Sequence, residues 1–307
     1  MTFITIVLAL LLEQAHPVPV GRLSGWVAKW TRWLEDRFNA GEPQHGVAAW
    51  IVGVVLPSAV MLVAFVYAYY SNWLVAALLG VLVLYVTTGF RQFSHHFTDI
   101  QLALRAGELD QARRQLAAWR GRNTEKLTAS EVARVAIEEA LLAAHRHVFA
   151  PLFWFVALGP AGALLYRLAG HFCYSWGAER EPESELAAFG AFARRAFAAI
   201  DWLPVRLTAA SFAVVGNFED AVFCWRNQAD RWPEEAGGIL LSSGAGALGV
   251  RLGLPIDMGN GLTMRPELGI GDDADADFMQ SAIGLAWRAL VMALVLLLLL
   301  GIANWAG

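Results

Sequence analysis

Of 307 residues, 57% are hydrophobic and 16% charged, against roughly 25% charged in soluble domains. With a mean hydropathy of +0.46 and a net charge of −4, the chain is too apolar for a water-soluble fold and too acidic for a broadly basic nucleic-acid binder, so no nucleic-acid partner is expected. The two cysteines, Cys173 and Cys224, stand outside any C-x-x-C spacing and read as packing residues. The expected fold class is all-α: a single polytopic helical membrane domain over 1–307, with the lipid bilayer as its first partner and a helical hairpin in the cytoplasm.

In chain order, residues 2–13 form a first membrane segment, short of the roughly 20 residues a span requires. No basic residue precedes it and no small-residue cleavage site follows it, which predicts an uncleaved segment. The prolines after His16 forbid a continuous helix there. Leu23–Phe38 then sets Leu23, Trp26, Val27, Trp30, Trp33 and Leu34 at 3- and 4-residue steps, an amphipathic Trp-rich helix suited to a membrane surface. Segments 47–70 and 73–90 are separated only by Ser71 and Asn72, which predicts a membrane hairpin whose outer flanks share one side. The flank 91–147 holds nine Lys/Arg and the earlier one adds Lys29, Arg32 and Arg37, which places both in the cytoplasm.

Within 91–147, apolar periodicity over Ile100–Trp119 is interrupted by Gly107. A second helix opens on the capping box Thr128-Ala129-Ser130-Glu131. The turn between them, Arg120-Gly121-Arg122-Asn123-Thr124, offers two guanidiniums, a glycine and a hydroxyl that could grip a phosphate. His95-His96 and His145-Arg146-His147 lack ligands at metal-binding spacing, so no metal is expected.

The next membrane segment, 148–171, contains Pro151 and Gly159-Pro160. Proline removes a backbone donor, so a broken or re-entrant helix packed against protein is expected rather than a lipid-exposed rod. Re-entry would put the polar and Gly-rich region 172–281 in the cytoplasm. In that region Glu185–Ile200 reads as helical, and Asp201 and Arg206 sit beside the apolar run Leu207–Val215, where ionisable groups are costly unless paired. Gly237–Leu252 is rich in small residues that let helices approach closely. Gly244-Ala245-Gly246-Ala247-Leu248-Gly249 follows no strand pattern, which argues against a dinucleotide fold. The last membrane segment is 282–306.

Six phrases occur in order: His16-Pro17-Val18 with Gly21, Gly121-Arg122-Asn123-Thr124, Ala150-Pro151-Leu152-Phe153-Trp154, Tyr166-Arg167, Leu203-Pro204-Val205-Arg206-Leu207-Thr208, and Gly246–Gly253. Together they resemble the superfamily of CobD/CbiB, the membrane-bound adenosylcobinamide-phosphate synthases, and its AmpE branch, linked to β-lactamase induction. The resemblance implies a multi-pass protein of the bacterial inner membrane. For the synthase branch it implies ATP-dependent amide formation between a corrinoid carboxyl and aminopropanol phosphate.

The sequence also departs from the synthase pattern. Arg134 and Glu138 match an Arg…Glu opening, but Leu142, Ala143 and Ala144 stand where Glu-Asn-Thr is expected, and Arg146 and His147 replace Asp-Gly. Phe197 and Ala198 occupy the positions of paired aspartates. The first reading is therefore a non-catalytic, AmpE-like signalling or ligand-sensing protein without a cofactor. It would keep an anion pocket of Arg122, Arg134 and Arg206 for a phosphorylated small molecule and would meet a membrane or signalling protein partner. The alternative is a divergent synthase using Mg-ATP and a corrinoid, with Arg120, Arg122 and Thr124 on phosphate and Glu138 as the surviving acid. The matched phrases add Arg167 as an anion-binding candidate, and His16, Tyr166 and Asp201 as further site candidates.

Overall fold

A computed structural model describes residues 2–15, 20–39, 43–177, 185–257 and 261–306. Helix follows helix along almost all of it, and the chain forms two compact units: Met1–Gly89 with Ala150–Pro204, and Phe90–Phe149 with Val205–Gly307. Among the described residues, four helical stretches are long and apolar enough to cross a membrane: Gln44–Ser71, Ala129–Leu158, Ala188–Val215 and Ala276–Ala303. Two shorter apolar helices, Thr2–Ala15 and Trp73–Thr87, accompany them.

The first unit begins with α1 (Thr2–Ala15) and α2 (Val20–Phe38). α3 (Pro43–Trp50) runs through a widened π-turn, Ile51–Val55, into α4 (Leu56–Ser71). Asn72 ends that helix and caps α5 (Trp73–Thr87), its side chain accepting from the Leu74 amide at 3.0 Å. The π-turn has a cause in the sequence. Pro57 cannot bond to Gly53 four residues back and its ring would collide with that carbonyl; widening the turn relieves the clash. The Ser58 hydroxyl donates to the Val54 carbonyl at 2.7 Å in the same turn.

α9 (Ala150–Leu158) and α10 (Pro160–Gly177) complete the unit together with the first part of α11 (Glu185–Val215). Gly159 separates α9 from α10 with φ +64°, the left-handed backbone glycine adopts at little cost, and Pro160 starts the next helix. The break expected within 148–171 is therefore present, and it falls at this pair. The core is aromatic: Phe172 meets Trp176 edge-on at 4.6 Å between ring centroids, and Trp176 meets Phe189 at 4.7 Å. Gly53 admits this packing, since a Cβ there would lie 2.6 Å from the Phe172 ring.

The second unit is built around α8 (Ala129–Ala144), preceded by α6 (Phe90–Arg105) and α7 (Leu109–Arg120). Gly107 divides the Ile100–Trp119 stretch into these two helices. The capping box forms as its sequence predicts. The Thr128 hydroxyl accepts from the Glu131 amide, and the Glu131 carboxylate accepts from the Thr128 amide at 2.7 Å. α8 does not end the hairpin. It continues through a second π-turn, His145–Phe149, into α9 as one helical stretch. This π-turn also stands two residues before a proline, Pro151, and relieves the same clash with the carbonyl of His147.

α12 (Phe218–Gln228) and α13 (Glu235–Leu248) pack closely, and α13 is buried along Gly237–Ala247. Its small residues permit this, as the composition of Gly237–Leu252 predicts: a Cβ at Gly244 would lie 2.7 Å from Leu141. β1 (Val250–Gly253) pairs antiparallel with β4 (Glu267–Leu268) and parallel with β5 (Asp272–Asp273), while β2 (Ile256–Asp257) pairs with β3 (Leu262–Thr263). These short ladders sit in an otherwise helical fold. α14 (Ala276–Ala306) ends the chain's described part.

Two elements depart from the expected organisation: the apolar stretch Ala129–Leu158 takes in residues that the sequence assigns to the cytoplasmic hairpin, and α11 is continuous. α11 is a 31-residue helix with Pro204 inside it, and Ala188–Val215 is apolar enough to span. Along the sequence, Arg194, Arg195, Asp201 and Pro204 interrupt the apolar run and assign the stretch to a polar region. In three dimensions the charges distribute over faces and the helix stays continuous.

Candidate anion-binding site

Arg134, one turn into α8, is 6% exposed, and its Nε and Nη2 are buried without a hydrogen-bond partner. Its ion-pair contact with Glu131 is long, 3.8 Å. Nε and Nη2 are the paired donors of one guanidinium edge, the edge that binds a carboxylate or phosphate side-on. Leaving such donors unmade in a buried site is expensive. This edge has the geometry to hold an anion, beside the carboxylates of Glu131 and Glu138.

One turn further on, Glu138 is committed. Its Oε2 accepts from Arg265 Nη1 at 2.7 Å, and its Oε1 accepts from the Gly253 amide at 2.8 Å and from Arg265 Nη2 at 3.3 Å. Arg265 also donates to the carbonyls of Gly253 at 2.7 Å and Leu254 at 3.1 Å, and its guanidinium lies 5.7 Å from the Trp232 ring centroid. Gly253 must be glycine, because with φ +71° a Cβ would fall 2.0 Å from the Pro266 carbonyl oxygen. Leu254 holds φ +64°, a strained value for a leucine. The Glu138–Arg265 pair thus fastens the Gly253–Pro266 segment to α8.

The other predicted residues fall into separate settings. Thr124 is buried, and its hydroxyl donates to the Arg113 carbonyl at 2.7 Å. Arg120 pairs with Glu139 at 2.7 Å. Arg122 is exposed on the turn. The cleft beside that turn is lined by Asp110 and Glu125 as well as Arg113 and Arg114, so its charge is mixed. Arg206 pairs with Glu235 at 2.6 Å, and Arg146 with Glu234 at 3.4 Å. The three arginines grouped as one pocket, Arg122, Arg134 and Arg206, therefore have different surroundings, and Arg134 alone keeps a bare fork.

In the first unit, Tyr166 donates to Asp201 at 3.0 Å, both buried. Two site candidates chosen separately are thus each other's partner. Arg167 is half-buried on α10, and His16 lies outside the described residues. His145 Nδ1 lies 2.9 Å from the Thr208 hydroxyl, a buried polar contact inside the second π-turn. Burial and nearby Asp220 push the Cys224 thiol up to about 11, so at neutral pH it is protonated and a poor nucleophile. Among the described residues no three His, Cys, Asp or Glu side chains cluster to hold a metal ion. No Mg²⁺ site is assigned to them.

Sequence reasoning missed Arg265. It sits in an irregular segment 127 residues from Glu138, and no periodicity marks it. The one available hint was the Arg265-Pro266 step in a loop rich in glycine.

This architecture defines a class, a polytopic α-helical membrane protein whose second unit carries an arginine fork beside a latched glutamate. The family model described as CobD/Cbib protein matches residues 6–286, and the chain belongs to that family. A protein named cobalamin biosynthesis protein CobD from Stutzerimonas stutzeri is 34% identical over 96% of this chain and 97% of its own length. One of the same name from Chromobacterium violaceum is 35% identical over 73% of each chain. A third, from Leptospira interrogans, is 26% identical over 84% of this chain and 81% of its own. No solved structure matches the chain.

Proposed function

We propose that this protein acts in cobalamin biosynthesis as an adenosylcobinamide-phosphate synthase of the bacterial inner membrane, joining aminopropanol phosphate to a corrinoid carboxyl. The names of the similar proteins favour this over the AmpE-like reading. The observation that carries the chemistry is the buried, unsatisfied Nε and Nη2 edge of Arg134. A phosphate is the natural occupant: two oxygens accept from the fork, and its charge answers a guanidinium already removed from water.

In that role Arg134 binds and orients the phosphate, while Glu138 holds the wall of the site through Arg265 and the Gly253 amide. Bound ATP would activate the carboxyl. Orientation is what these residues add, since fixing the amine near the acyl carbon converts a bimolecular step into an effectively unimolecular one.

A second reading, a non-catalytic phosphate-sensing protein of AmpE type, is favoured by the apolar Leu142, Ala143 and Ala144 at positions where synthases carry Glu-Asn-Thr. One experiment separates the two. A strain lacking its corrinoid synthase should regain cobalamin-dependent growth when it expresses this chain, and Arg134→Ala should lose the rescue while still inserting in the membrane. No rescue by the inserted wild-type chain would overturn the synthase reading. Binding of aminopropanol phosphate to the purified protein should weaken at least tenfold in Arg134→Ala, the order expected for one charge-assisted pair. It should change little in Arg122→Ala.

A further inference from the structure

α2 has two apolar faces, and the fold covers only one. On a helical wheel Leu34, Val27, Phe38 and Thr31 fall within about 60° of one another, and Trp26, Trp30 and Trp33 within another 60° roughly 110° away. Leu34 and Thr31 are buried, and Leu34 approaches Gly53 in the core of the first unit. The tryptophans face outward: Trp26 is 76% exposed, Trp33 52% and Trp30 39%. Trp30 and Trp33 stack on each other at 5.4 Å, and Lys29 lies over the Trp26 ring at 6.0 Å.

Lys29 and Arg32 extend this strip on the side away from the packed face, and Arg37 lies within it near the helix end. All three are exposed and form no ion pair among the described residues. Aromatic rings flanked by unpaired cations match the boundary between acyl chains and anionic headgroups. Chain length fixes where the strip can go. Four residues separate α2 from α1, and four separate it from α3, which continues into the apolar stretch Gln44–Ser71. Links of that length reach about 17 Å. A helix tethered so closely at both ends to membrane helices cannot leave the bilayer surface.

We propose that the Trp26, Trp30 and Trp33 face of α2 is a lipid-docking surface, seated in the interface of the bilayer and drawn to anionic phospholipid headgroups by Lys29, Arg32 and Arg37. The occupant is the membrane, not a soluble protein and not a second copy of the chain. The docked helix would fix the depth and roll of the first unit in the membrane, a property separate from any chemistry at Arg134.

The test uses the full-length protein with Cys173 and Cys224 replaced by serine, carrying Trp30→Cys, spin-labelled and reconstituted into bilayers. The label should collide with oxygen, which partitions into lipid, in preference to a water-soluble nickel complex. Raising anionic phosphatidylglycerol from none to about one third of the lipid should lower nickel access at least twofold. Lys29→Glu with Arg32→Glu and Arg37→Glu should abolish that response, since each basic residue near an anionic surface is worth on the order of fivefold in binding. Trp33→Cys, which leaves Leu34 and the packed face intact, gives the same readout should Trp30→Cys misfold. Nickel access above oxygen access at both positions would overturn the proposal. So would label-to-label broadening that disappears when unlabelled protein is added, because a second copy would then occupy the face.

Discussion

Glu138 and Arg265 show how a single pair of charges can hold a segment with little regular structure. Among the described residues, the Gly253–Pro266 region contributes short ladders and a strained Leu254; the Glu138–Arg265 pair and the carbonyls Arg265 gathers tie it to α8, and Lys126 pairs with Asp257 at 2.9 Å. Removing one member of a buried pair leaves the other charge unsolvated, at a cost of about 3–5 kcal/mol. Glu138→Ala and Arg265→Ala should each destabilise the detergent-solubilised protein by about that amount, and the double variant should lose far less than the sum. Unfolding in mixed micelles measures all three, and strictly additive losses would show that the pair is not coupled. Tyr166 and Asp201 illustrate a different residue-scale lesson. Asp201 is a site candidate because an ionisable group beside an apolar run is costly unless paired, and it accepts from a tyrosine on the neighbouring helix.

At the scale of elements, proline and glycine punctuate the helices with unlike results. Pro57 and Pro151 are each preceded by a π-turn that absorbs the lost hydrogen bond while the helix continues. Gly159 ends one helix so that Pro160 can begin another. Sequence marks Pro151 and Gly159-Pro160 as places where the helix breaks, but only Gly159 ends one, because a left-handed residue reverses the chain whereas a widened turn merely loosens it. Gly159→Ala should therefore cost about 1–2 kcal/mol of unfolding free energy from the left-handed backbone alone. Its new Cβ would also press on Phe65 at 3.3 Å. Pro204 extends the same lesson, since α11 carries it internally without ending.

For the whole molecule, the arginine-rich stretch 91–147 sets the expected orientation. Seven Lys/Arg in 91–128, ahead of the apolar stretch Ala129–Leu158, lead us to expect the turn between α7 and α8 in the cytoplasm. Asn123 is exposed on the turn between α7 and α8, so Asn123→Cys in a background without native cysteines should resist an impermeant thiol reagent in whole cells and react after the membrane is opened. Labelling of intact cells would reverse the orientation.

Composition determined that the chain lives in lipid, because an apolar excess of this size has nowhere else to go, and the length and period of its apolar runs determined that it is helical. The capping box, the hairpin at Ser71-Asn72, the close-packing glycines and the break at Gly159-Pro160 were legible for a similar reason: each depends on residues within a turn or two of one another. Tertiary structure decided the rest. It chose Arg134 over Arg122 and Arg206 as the bare fork, consumed Glu138 and Thr124 in internal bonds, joined Tyr166 to Asp201 and left three tryptophans of α2 uncovered. Those outcomes turn on which side chains meet across long sequence separations, and a buried charge is either spent or kept available only when its neighbours in space are known.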